Sequence, residues 1–339
     1  MTFIIIGENV HTTRVIRRRD ARVGTDERGR EAIAFVDEHG DERWLPVSPA
    51  EQATMEYEEG RIKHVRTALR LAMEEGENSE VAVAYLRAIA HHQVAAGAAF
   101  LDVNVDEVSL RLPDQKAAMR WLVELLSPVV PVPLSVDSSN LEIIEAGLEA
   151  ADRHAGPPML NSASLERLEA LELAAATGGP VIVTAAGAAG MPSGAQERVE
   201  YAGQMVAHAQ ARGIEDERLF IDPLVFPISV DGSFGDHCLD AIREIRRRWP
   251  SAHITGGMSN VSFGLPNRRL INDAFLVMAI EAGADAGIVD PILNPPARAL
   301  ASDRESPPFR LASDVLTGAD RNCKAFLRAS RAGALETAA

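Results

Sequence analysis

The sequence has few of the residues that mark three common classes of protein. Its two cysteines, Cys238 and Cys323, lie far apart and in no metal-ligand spacing, so we expect reduced thiols in a cytoplasmic protein. Aromatic residues make up 5% of the chain, which disfavours a surface that stacks on nucleic-acid bases. No apolar segment approaches the roughly 20 residues that a membrane-spanning helix requires.

Lysine is also scarce, and acidic residues outnumber basic ones by 49 to 34. The net charge is −15, and lysine occurs three times, as Lys63, Lys116 and Lys324. We do not expect such an acidic chain to have nucleic acid or an anionic membrane surface as its main partner. The first residues, M-T-F-I-I-I-G, have no basic segment before a short apolar run, and we therefore expect no signal peptide.

The most regular feature of the chain is an alternation of short apolar segments with helix-sized segments. Residues 254–290 show the unit most clearly, as a strand, a polar glycine-rich turn, a helix over residues 270–282 that ends at Gly283, and a second strand. Eight strands are predicted, starting at Phe3, Phe100, Pro133, Met159, Val181, Leu219, His253 and Ala286. This pattern predicts an α/β protein with one (β/α)₈ TIM barrel, as a single domain over residues 1–339.

The rival fold is a doubly wound open sheet. That fold would require a G-x-G-x-x-G turn after its first strand, and G-E-N-V-H at residues 7–11 does not match.

An irregular stretch after the first strand, residues 10–56, is predicted to be an insertion on the barrel. Strand-like runs at residues 32–35 and 43–47 flank Gly40 and predict a β-hairpin. We expect five arginines here to form a solvated face paired with nearby acids, the alternative being contact with an anionic substrate tail or a partner protein. They are Arg14, Arg17, Arg18, Arg19 and Arg22. Further helices are predicted over residues 57–75, 80–96 (capped by Ser79) and 313–332.

Polar side chains collect at or just past the carboxyl ends of the predicted strands. They are Glu8, Asn9, Asp102, Asn104, Asp137, Asn161, Thr184, Asp222, Ser259, Asn260 and Asp290. In a barrel these ends converge on one mouth, where active sites are built. Helix capping explains single cases, and for Ser139, Ser162 and Asp290 we favour capping or a salt bridge over a functional role. Carboxylates and amides together suit a flat neutral heterocycle, because a carboxylate can accept two parallel N–H bonds from an amino-pyrimidinone edge.

The sequence predicts no metal site. His91 and His92 are adjacent in a predicted helix and so do not share one face, and no cluster of His, Cys and Asp has metal-ligand spacing. His11 lies near the predicted mouth, and its role stays open. The sequence also shows no nucleophile elbow and no Ser-His-Asp order.

Five motifs resemble, in order, those of the pterin-binding methyltransferase family, which includes methyltetrahydrofolate:corrinoid methyltransferases and the folate domain of cobalamin-dependent methionine synthase. The motifs are L-D-V-N at residues 101–104, S-V-D-S-S-N at 135–140, L-N-S-A-S at 160–164, I-D-P-L at 221–224 and G-M-S-N-V-S-F-G-L-P-N-R at 257–268. The resemblance covers roughly residues 78–292 and the first strand. It implies a TIM barrel related to dihydropteroate synthase.

The resemblance implies how a pterin would be bound. Asp137, Asn161 and Asp222 would hold the ring by its amino-pyrimidinone edge. Asp102 and Asn104 would line the floor of the pocket.

The resemblance also implies where methyl transfer would occur. Asn260 would lie beside the methyl-bearing ring nitrogen, in a wall shaped by Gly257, Ser259 and Arg268. A hydrogen bond from the amide that strengthens in the transition state would improve a poor amine leaving group. The proton itself would arrive through water or the wider network, since an amide cannot supply it.

The implied function is methyl transfer, in either direction, between N5-methyltetrahydrofolate and a corrinoid (cobalamin). The corrinoid would arrive on a separate binding protein, because the chain has no D-x-H-x-x-G motif. The family also implies a homodimer. Two alternatives stay open. One is an enzyme like dihydropteroate synthase, disfavoured because the loop after Asp222 has no lysine. The other is a non-catalytic pterin-binding subunit of a corrinoid system.

Three features depart from the family pattern. The insertion is absent from short members of the family. The start reads G-E-N-V-H-T-T where G-E-R-I-N-P-T is expected, so Asn9 and His11 replace familiar groups. The loop after the fifth strand, T-A-A-G-A-A-G-M-P, has only small residues where relatives tend to carry an amide or an acid.

Overall fold

The computed structural model describes residues 3–74 and 76–335. The ends of the predicted domain, residues 1–2 and 336–339, and Glu75 at the end of a predicted helix lie outside the described residues. The chain forms two compact units, which we call the N-terminal unit (Gly7–Asn161) and the C-terminal unit (Met1–Ile6 with Ser162–Ala339).

The N-terminal unit contains the insertion and four strands of the main sheet. Its strands are β1 (Ile4–His11), β2 (Ile16–Arg17), β3 (Val23–Thr25), β4 (Glu31–Val36), β5 (Glu42–Pro46), β6 (Arg61–Ile62), β7 (Phe100–Asn104), β8 (Leu134–Asp137) and β9 (Met159–Ala163), of which β1 and β9 continue into the other unit. Its helices are α1 (Pro49–Gln52), α2 (Met55–Glu58), α3 (His64–Met73), α4 (Ser79–Ala95), α5 (Leu112–Leu126) and α6 (Leu141–Ala150). Parallel pairing joins β7 to β8 and β8 to β9.

The C-terminal unit completes the strand set. Its further strands are β10 (Val181–Thr184), β11 (Leu219–Asp222), β12 (His253–Ile254) and β13 (Ala286–Val289). Its helices are α7 (Glu169–Thr177), α8 (Ala195–Gln210), α9 (Phe234–Arg248), α10 (Arg268–Ala282), α11 (Pro296–Leu300), α12 (Pro307–Leu316) and α13 (Lys324–Arg331), with 3₁₀ turns at Asp216–Arg218, Met258–Ser262 and Arg321–Cys323. No helix in the described part of the chain is long and apolar enough to cross a membrane.

The order of the main sheet is β12-β11-β10-β9-β8-β7-β1-β13. A parallel bridge between Gly257 and Ile288 joins the two edge strands. Each strand therefore lies beside its predecessor in the series, as in a (β/α)₈ barrel and unlike a doubly wound sheet, whose strand order reverses. The predicted fold is confirmed, and each of the eight predicted strands is present.

The insertion forms a three-stranded antiparallel sheet, β3-β4-β5. The predicted hairpin is confirmed as β4 and β5, and Gly40 adopts a φ of +88° in the turn between them. The third strand, β3, was not predicted because its sequence, V-G-T, is too short to show a period.

Four predicted boundaries were wrong. β1 continues from Gly7 to His11, because the chain still pairs with β7, and the Thr12 N–H donates to the Asn104 carbonyl. Gly60, at a φ of +81°, divides the predicted 57–75 helix into α2, β6 and α3, and Gly318, at +72°, ends α12 before α13 begins. Ser79 is the first residue of α4, where its hydroxyl donates to the Ala72 carbonyl and does not cap the helix.

A substitution at Gly235 can test the packing of α9 against α12. A Cβ at this position would overlap the Leu316 carbonyl group, whose carbon atom would be 3.0 Å away. We expect Gly235→Ala to lower the free energy of unfolding by about 1–3 kcal/mol, because backbone cannot move aside as a flexible side chain can. Gly232→Ala, where an added methyl group meets no atom within 4 Å, should change it by less than about 0.5 kcal/mol. Equal urea midpoints for the two variants would contradict this account.

Candidate active site

Strand register places three of the predicted pterin contacts side by side in the N-terminal unit. Asn104 is paired with Asp137 across β7 and β8, and Asp137 with Asn161 across β8 and β9. Paired residues on parallel strands project from the same face of a sheet, so these side chains form a row. The Asn104 amide nitrogen donates to Asp137 Oδ2 at 2.9 Å. Its oxygen accepts the backbone N–H of Asp106 at 3.0 Å, which fixes the direction of the amide.

Asp102 lies one pleat below this row and is 2% exposed. Its Oδ1 accepts hydrogen bonds from the Ser135 hydroxyl at 2.6 Å and from the Asn161 amide at 3.1 Å. The carboxylate is thus buried with its donors in place, which is the condition under which a buried charge is tolerated. Asp102 therefore supports the row from beneath.

His11, at the end of β1, completes this cluster. Its Nε2 lies 2.9 Å from Asp137 Oδ2 and 3.4 Å from Asp102 Oδ2. Its Nδ1 lies 3.1 Å from the Thr13 hydroxyl oxygen. Each ring nitrogen therefore faces an oxygen that can accept a hydrogen bond, as expected for an imidazolium, in which both nitrogens are donors. The role of His11 was left open, because its position near the predicted mouth and its departure from the family motif were the only signals for it in the sequence.

The cluster of His11, Asp102 and Asp137 favours the protonated form of the imidazole. Burial opposes the charged imidazole, but hydrogen bonds to Asp102 and Asp137 outweigh it and raise the pKa of His11 to about 10. Burial and the charge of Asp102 raise the pKa of Asp137, whereas His11 and Asn104 oppose that shift. At neutral pH the geometry places the proton on the imidazole, between two carboxylates.

The same three side chains could surround a cation. The ligand atoms of His11, Asp102 and Asp137 lie within 4.8 Å of one another. Spacing in the sequence could not reveal this group, since its members come from three different strands. A metal ion would have to displace the proton on Nε2, because only a neutral imidazole is a ligand. The expectation that the protein binds no metal therefore stays a prediction.

Asp222, at the end of β11 in the C-terminal unit, has a different environment. Its Oδ1 accepts the Leu224 backbone N–H at 2.8 Å. Burial raises the pKa of the Asp222 carboxyl to about 6, against the opposing effects of that hydrogen bond and of the Arg198 charge. Gly256 leaves room for the carboxylate, since a Cβ there would lie 3.0 Å from Oδ1. Asp222 is thus poised to change charge slightly below neutral pH.

Arg198, on α8, is a buried cation that was not predicted from the sequence. The side chain is fully buried, and its guanidinium lies 4.8 Å from the centre of the Phe226 ring. Nη1 donates to the Gly194 carbonyl, whereas Nε and Nη2 have no hydrogen-bond partner among the residues that the structure describes. Its positive charge favours an ionised Asp222. One arginine in a helix gives no sign in the sequence that it points inwards.

The predicted catalytic wall is a 3₁₀ turn, Met258–Ser262. Arg268 holds this turn, donating from Nη2 to the Ser259 carbonyl and from Nε to the Ser262 hydroxyl, both at 3.0 Å. The half-buried Asn260 side chain lies over Gly257, whose missing Cβ would be 2.7 Å from the amide nitrogen. Within residues 3–74 and 76–335, the Asn260 amide has no hydrogen-bond partner. It can therefore bond to a ligand.

The structure thus groups the predicted site residues into two sets, one in each unit. The N-terminal set is Asp102, Asn104, Asp137 and Asn161, joined by His11. The C-terminal set is Asp222, Gly257, Ser259, Asn260 and Arg268. Asp290 accepts the backbone N–H groups of Ile292 and Leu293 in a turn before α11, so it does not cap that helix, whose N-cap is Pro295.

Comparison with known proteins identifies relatives of the chain. The sequence profile of the family described as "Pterin binding enzyme" matches residues 55–290. A methylcorrinoid:tetrahydrofolate methyltransferase of Eubacterium limosum is 29% identical over 258 residues, which cover 74% of this chain and 88% of that protein. A methionine synthase of Mycobacterium leprae is 32% identical over 216 residues, which cover 59% of this chain. The match spans 17% of the length of that synthase.

Solved structures similar to this chain include dihydropteroate synthases. The enzyme of Stenotrophomonas maltophilia superposes with a TM-score of 0.53 at 20% identity, covering 67% of this chain and 87% of that one. The enzyme of Yersinia pestis, with a pterine-sulfa conjugate, gives 0.52 at 22% identity, covering 66% and 86%. At such low identity these similarities support the predicted dihydropteroate-synthase-like fold and say nothing further about activity.

The charge on His11 can be tested through stability. We expect His11→Asn to lower the free energy of unfolding at pH 7 by about 1.5–3 kcal/mol, because two carboxylates lose a charged hydrogen-bond donor. The pKa of His11 is about 10 in the folded chain against an ordinary value of 6.5, so its contribution is complete below pH 6.5 and is lost as the pH rises through 10.

Urea unfolding of the wild type and the variant at pH 6.5, 8 and 9.5 measures this effect. The difference between the two proteins should shrink as the pH rises. His154→Asn, which changes a half-exposed histidine beside Asp152, should show no such trend. A difference that is independent of pH would mean that His11 is neutral.

Proposed function

This chain belongs to the family of pterin binding enzymes, and we propose that it transfers a methyl group between N5-methyltetrahydrofolate and a protein-bound corrinoid. The observation that carries this proposal is the match to 88% of the length of a methylcorrinoid:tetrahydrofolate methyltransferase. The name of that relative gives a methylcorrinoid as its donor. The same site would serve the reverse reaction, since one transition state lies on both paths.

The two carboxylates proposed to bind the pterin offer different numbers of free acceptor sites. Asp137 Oδ2 already accepts from His11 and Asn104, which fills both of its lone pairs. Its Oδ1 is left for the ligand. Asp222 Oδ1 accepts one backbone N–H, so both of its oxygens can accept another bond. We infer that Asp222 can accept the two parallel N–H groups of an amino-pyrimidinone edge, whereas Asp137 has one oxygen left to accept from a ligand.

The amides would complete recognition of the ring. Asn161 donates to Asp102 through its nitrogen, so its oxygen is directed elsewhere and can accept from the ligand. Asp102, beneath the row, and Asn104, at one end of it, would form the floor of the proposed pocket through their bonds to Asn161 and Asp137. Because Asp102, Asn104 and Asn161 are each less than 9% exposed, a bound ring would meet fixed groups that need no reorganisation.

We propose that Asn260 acts on the methyl-bearing nitrogen. A tertiary amine is a poor leaving group, and a hydrogen bond that strengthens as the methyl group departs lowers the barrier. The amide can supply that bond because the part of the chain that the structure describes gives it no other partner. Gly257, Ser259 and Arg268 hold the turn that aims it. The methyl acceptor would be the Co(I) form of a corrinoid carried by its own protein, and the ring nitrogen would take up a proton through water as its bond to the methyl group breaks.

Further parts of the proposal rest on indirect support. Cys238 and Cys323 are free and buried thiols, which supports a reducing, cytoplasmic location. We also propose a corrinoid-binding protein as partner, a homodimer, and one pterin-binding domain over residues 1–339.

The dihydropteroate synthase alternative is weaker, because the fold alone supports it and the loop after Asp222 still offers no lysine for a pyrophosphate leaving group.

Asn260 distinguishes an enzyme from a pterin-binding subunit. We expect Asn260→Ala to slow methyl transfer about 100-fold or more, because a bond made in the transition state is lost. The dissociation constant of methyltetrahydrofolate should change far less. Calorimetric titration measures binding, and the absorbance of free Co(I) cobalamin mixed with the complex follows transfer. Gln210→Ala, which removes an exposed amide at the end of α8 in the same unit, is the control. Equal losses of binding and transfer would favour a binding subunit.

Asp222 should make pterin binding depend on pH. The pKa of its carboxyl is about 6, so the acceptor is ionised above this pH and is lost as the pH falls through it. We expect the dissociation constant of methyltetrahydrofolate to rise by up to about tenfold between pH 6 and pH 5. Asp222→Asn should bind weakly at pH 7.5 and should lack this additional loss. The variant also corrects for titration of the ligand itself, and an identical pH profile in both proteins would exclude the assigned role.

A further inference from the structure

The insertion of the N-terminal unit carries an open groove lined by arginines. It lies along the two-stranded antiparallel sheet of β2 and β6 and has a volume of about 660 Å³. We call it the arginine groove; its lining residues are Arg17, Arg18, Arg19, Glu58, Glu59, Gly60 and Arg61. Four positive charges therefore face two negative ones in a chain whose net charge is −15.

The register of this small sheet places like charges opposite each other. Arg17 of β2 is the direct cross-strand neighbour of Arg61 of β6. The Arg18 N–H donates to the Gly60 carbonyl and fixes the pairing. Like charges directly opposite are destabilising, so the free protein bears a cost that a bound anion would remove.

The arginines differ in their partners. Arg18 is already engaged, since its Nε donates to Glu31 at 2.9 Å and its guanidinium lies 4.1 Å from the centre of the Tyr57 ring. Arg61 contacts Glu59. Arg17 and Arg19 are exposed and, in the described ranges 3–74 and 76–335, have no carboxylate within salt-bridge distance. The expectation that the arginine face is paired with acids is therefore met by Arg14, Arg18 and Arg22 but not by these two.

The groove lies close in the chain to the His11 cluster. Six residues lead from His11 to Arg17, so their Cα atoms are at most roughly 20 Å apart. The first of these residues is fixed to the cluster, because the Thr12 N–H donates to the Asn104 carbonyl. The strand that carries Arg17 also precedes residue 55, where the match to the family profile begins. The β2 side of the groove therefore lies outside the matched region, whereas Glu58, Glu59, Gly60 and Arg61 lie inside it.

We propose that the arginine groove binds the γ-linked oligoglutamate tail of the folate substrate, an inference that rests on the proposed function. Each glutamate unit presents a free α-carboxylate, and arginine pairs with carboxylates through two parallel hydrogen bonds. Successive carboxylates along the tail would engage Arg17 and Arg19 and separate the charges of Arg17 and Arg61. A volume of about 660 Å³ is that of a small-ligand pocket, which favours a tail over the surface of a protein.

The test compares two forms of one ligand. We expect the wild type, in buffer of low ionic strength, to bind the pentaglutamate of methyltetrahydrofolate roughly tenfold more tightly than the monoglutamate, and this preference should weaken with added salt. The double variant Arg17→Ala/Arg19→Ala should keep its affinity for the monoglutamate and lose most of the preference. The control Arg28→Ala/Arg120→Ala removes two exposed arginines elsewhere in the same unit and should retain the preference.

The other outcomes would overturn either the assignment of the groove to the folate tail or the proposed function itself. Monoglutamate binding without any preference for the longer tail, or a preference that survives in the double variant, would overturn the tail assignment and leave the proposed function intact. An unchanged preference with slower transfer from a corrinoid protein would assign the groove to that protein and overturn the proposal. If the wild type binds neither form, the folate assignment itself fails, and the groove has no folate tail to bind.

Discussion

The row of polar side chains in the N-terminal unit, Asn104, Asp137 and Asn161, depends on one imidazolium held between two carboxylates. Without the charge on His11, Asp102 and Asp137 would repel each other in a buried site, and one of them would take up a proton. The amides follow this charge arrangement, because Asn104 and Asn161 turn their nitrogens towards the carboxylates. Their direction determines which acceptors remain for a ligand. One proton therefore sets the hydrogen-bonding pattern of the whole row.

The C-terminal unit stabilises its carboxylate by weaker means. Asp222 has a single backbone donor and the charge of Arg198, with which it forms no salt bridge in the part of the chain that the structure describes. Asp222 consequently titrates near pH 6, whereas the cation beside Asp137 persists to about pH 10. Two aspartates with one proposed task thus differ in how firmly their charge is held. The charge of Asp222 can change with pH slightly below neutrality, whereas Asp137 faces an imidazolium that keeps its charge over the same range.

The sequence was sufficient for the fold, and it also predicted that polar side chains would collect at the carboxyl ends of the strands, because both depend on local patterns. Buried parallel strands read as apolar runs, and register then brings residues at equivalent strand ends together. Helix lengths were less predictable, since Gly60 and Gly318 each interrupt an otherwise helical pattern. His11 and Arg198 were not assigned because their partners lie on other elements, and no spacing records a contact of that kind. The pairing of Arg17 with Arg61 is hidden for the same reason.

The close approach of Asn260 to Gly257 has a use in sorting related sequences. A Cβ at residue 257 would lie 2.7 Å from the Asn260 amide nitrogen, so no other amino acid fits beneath the amide in this position. A homologous chain with an asparagine at the later position and a side chain at the earlier one must place that asparagine differently. The two positions therefore have to be read as a pair, and an asparagine in the motif is informative only when the glycine three residues before it is also present.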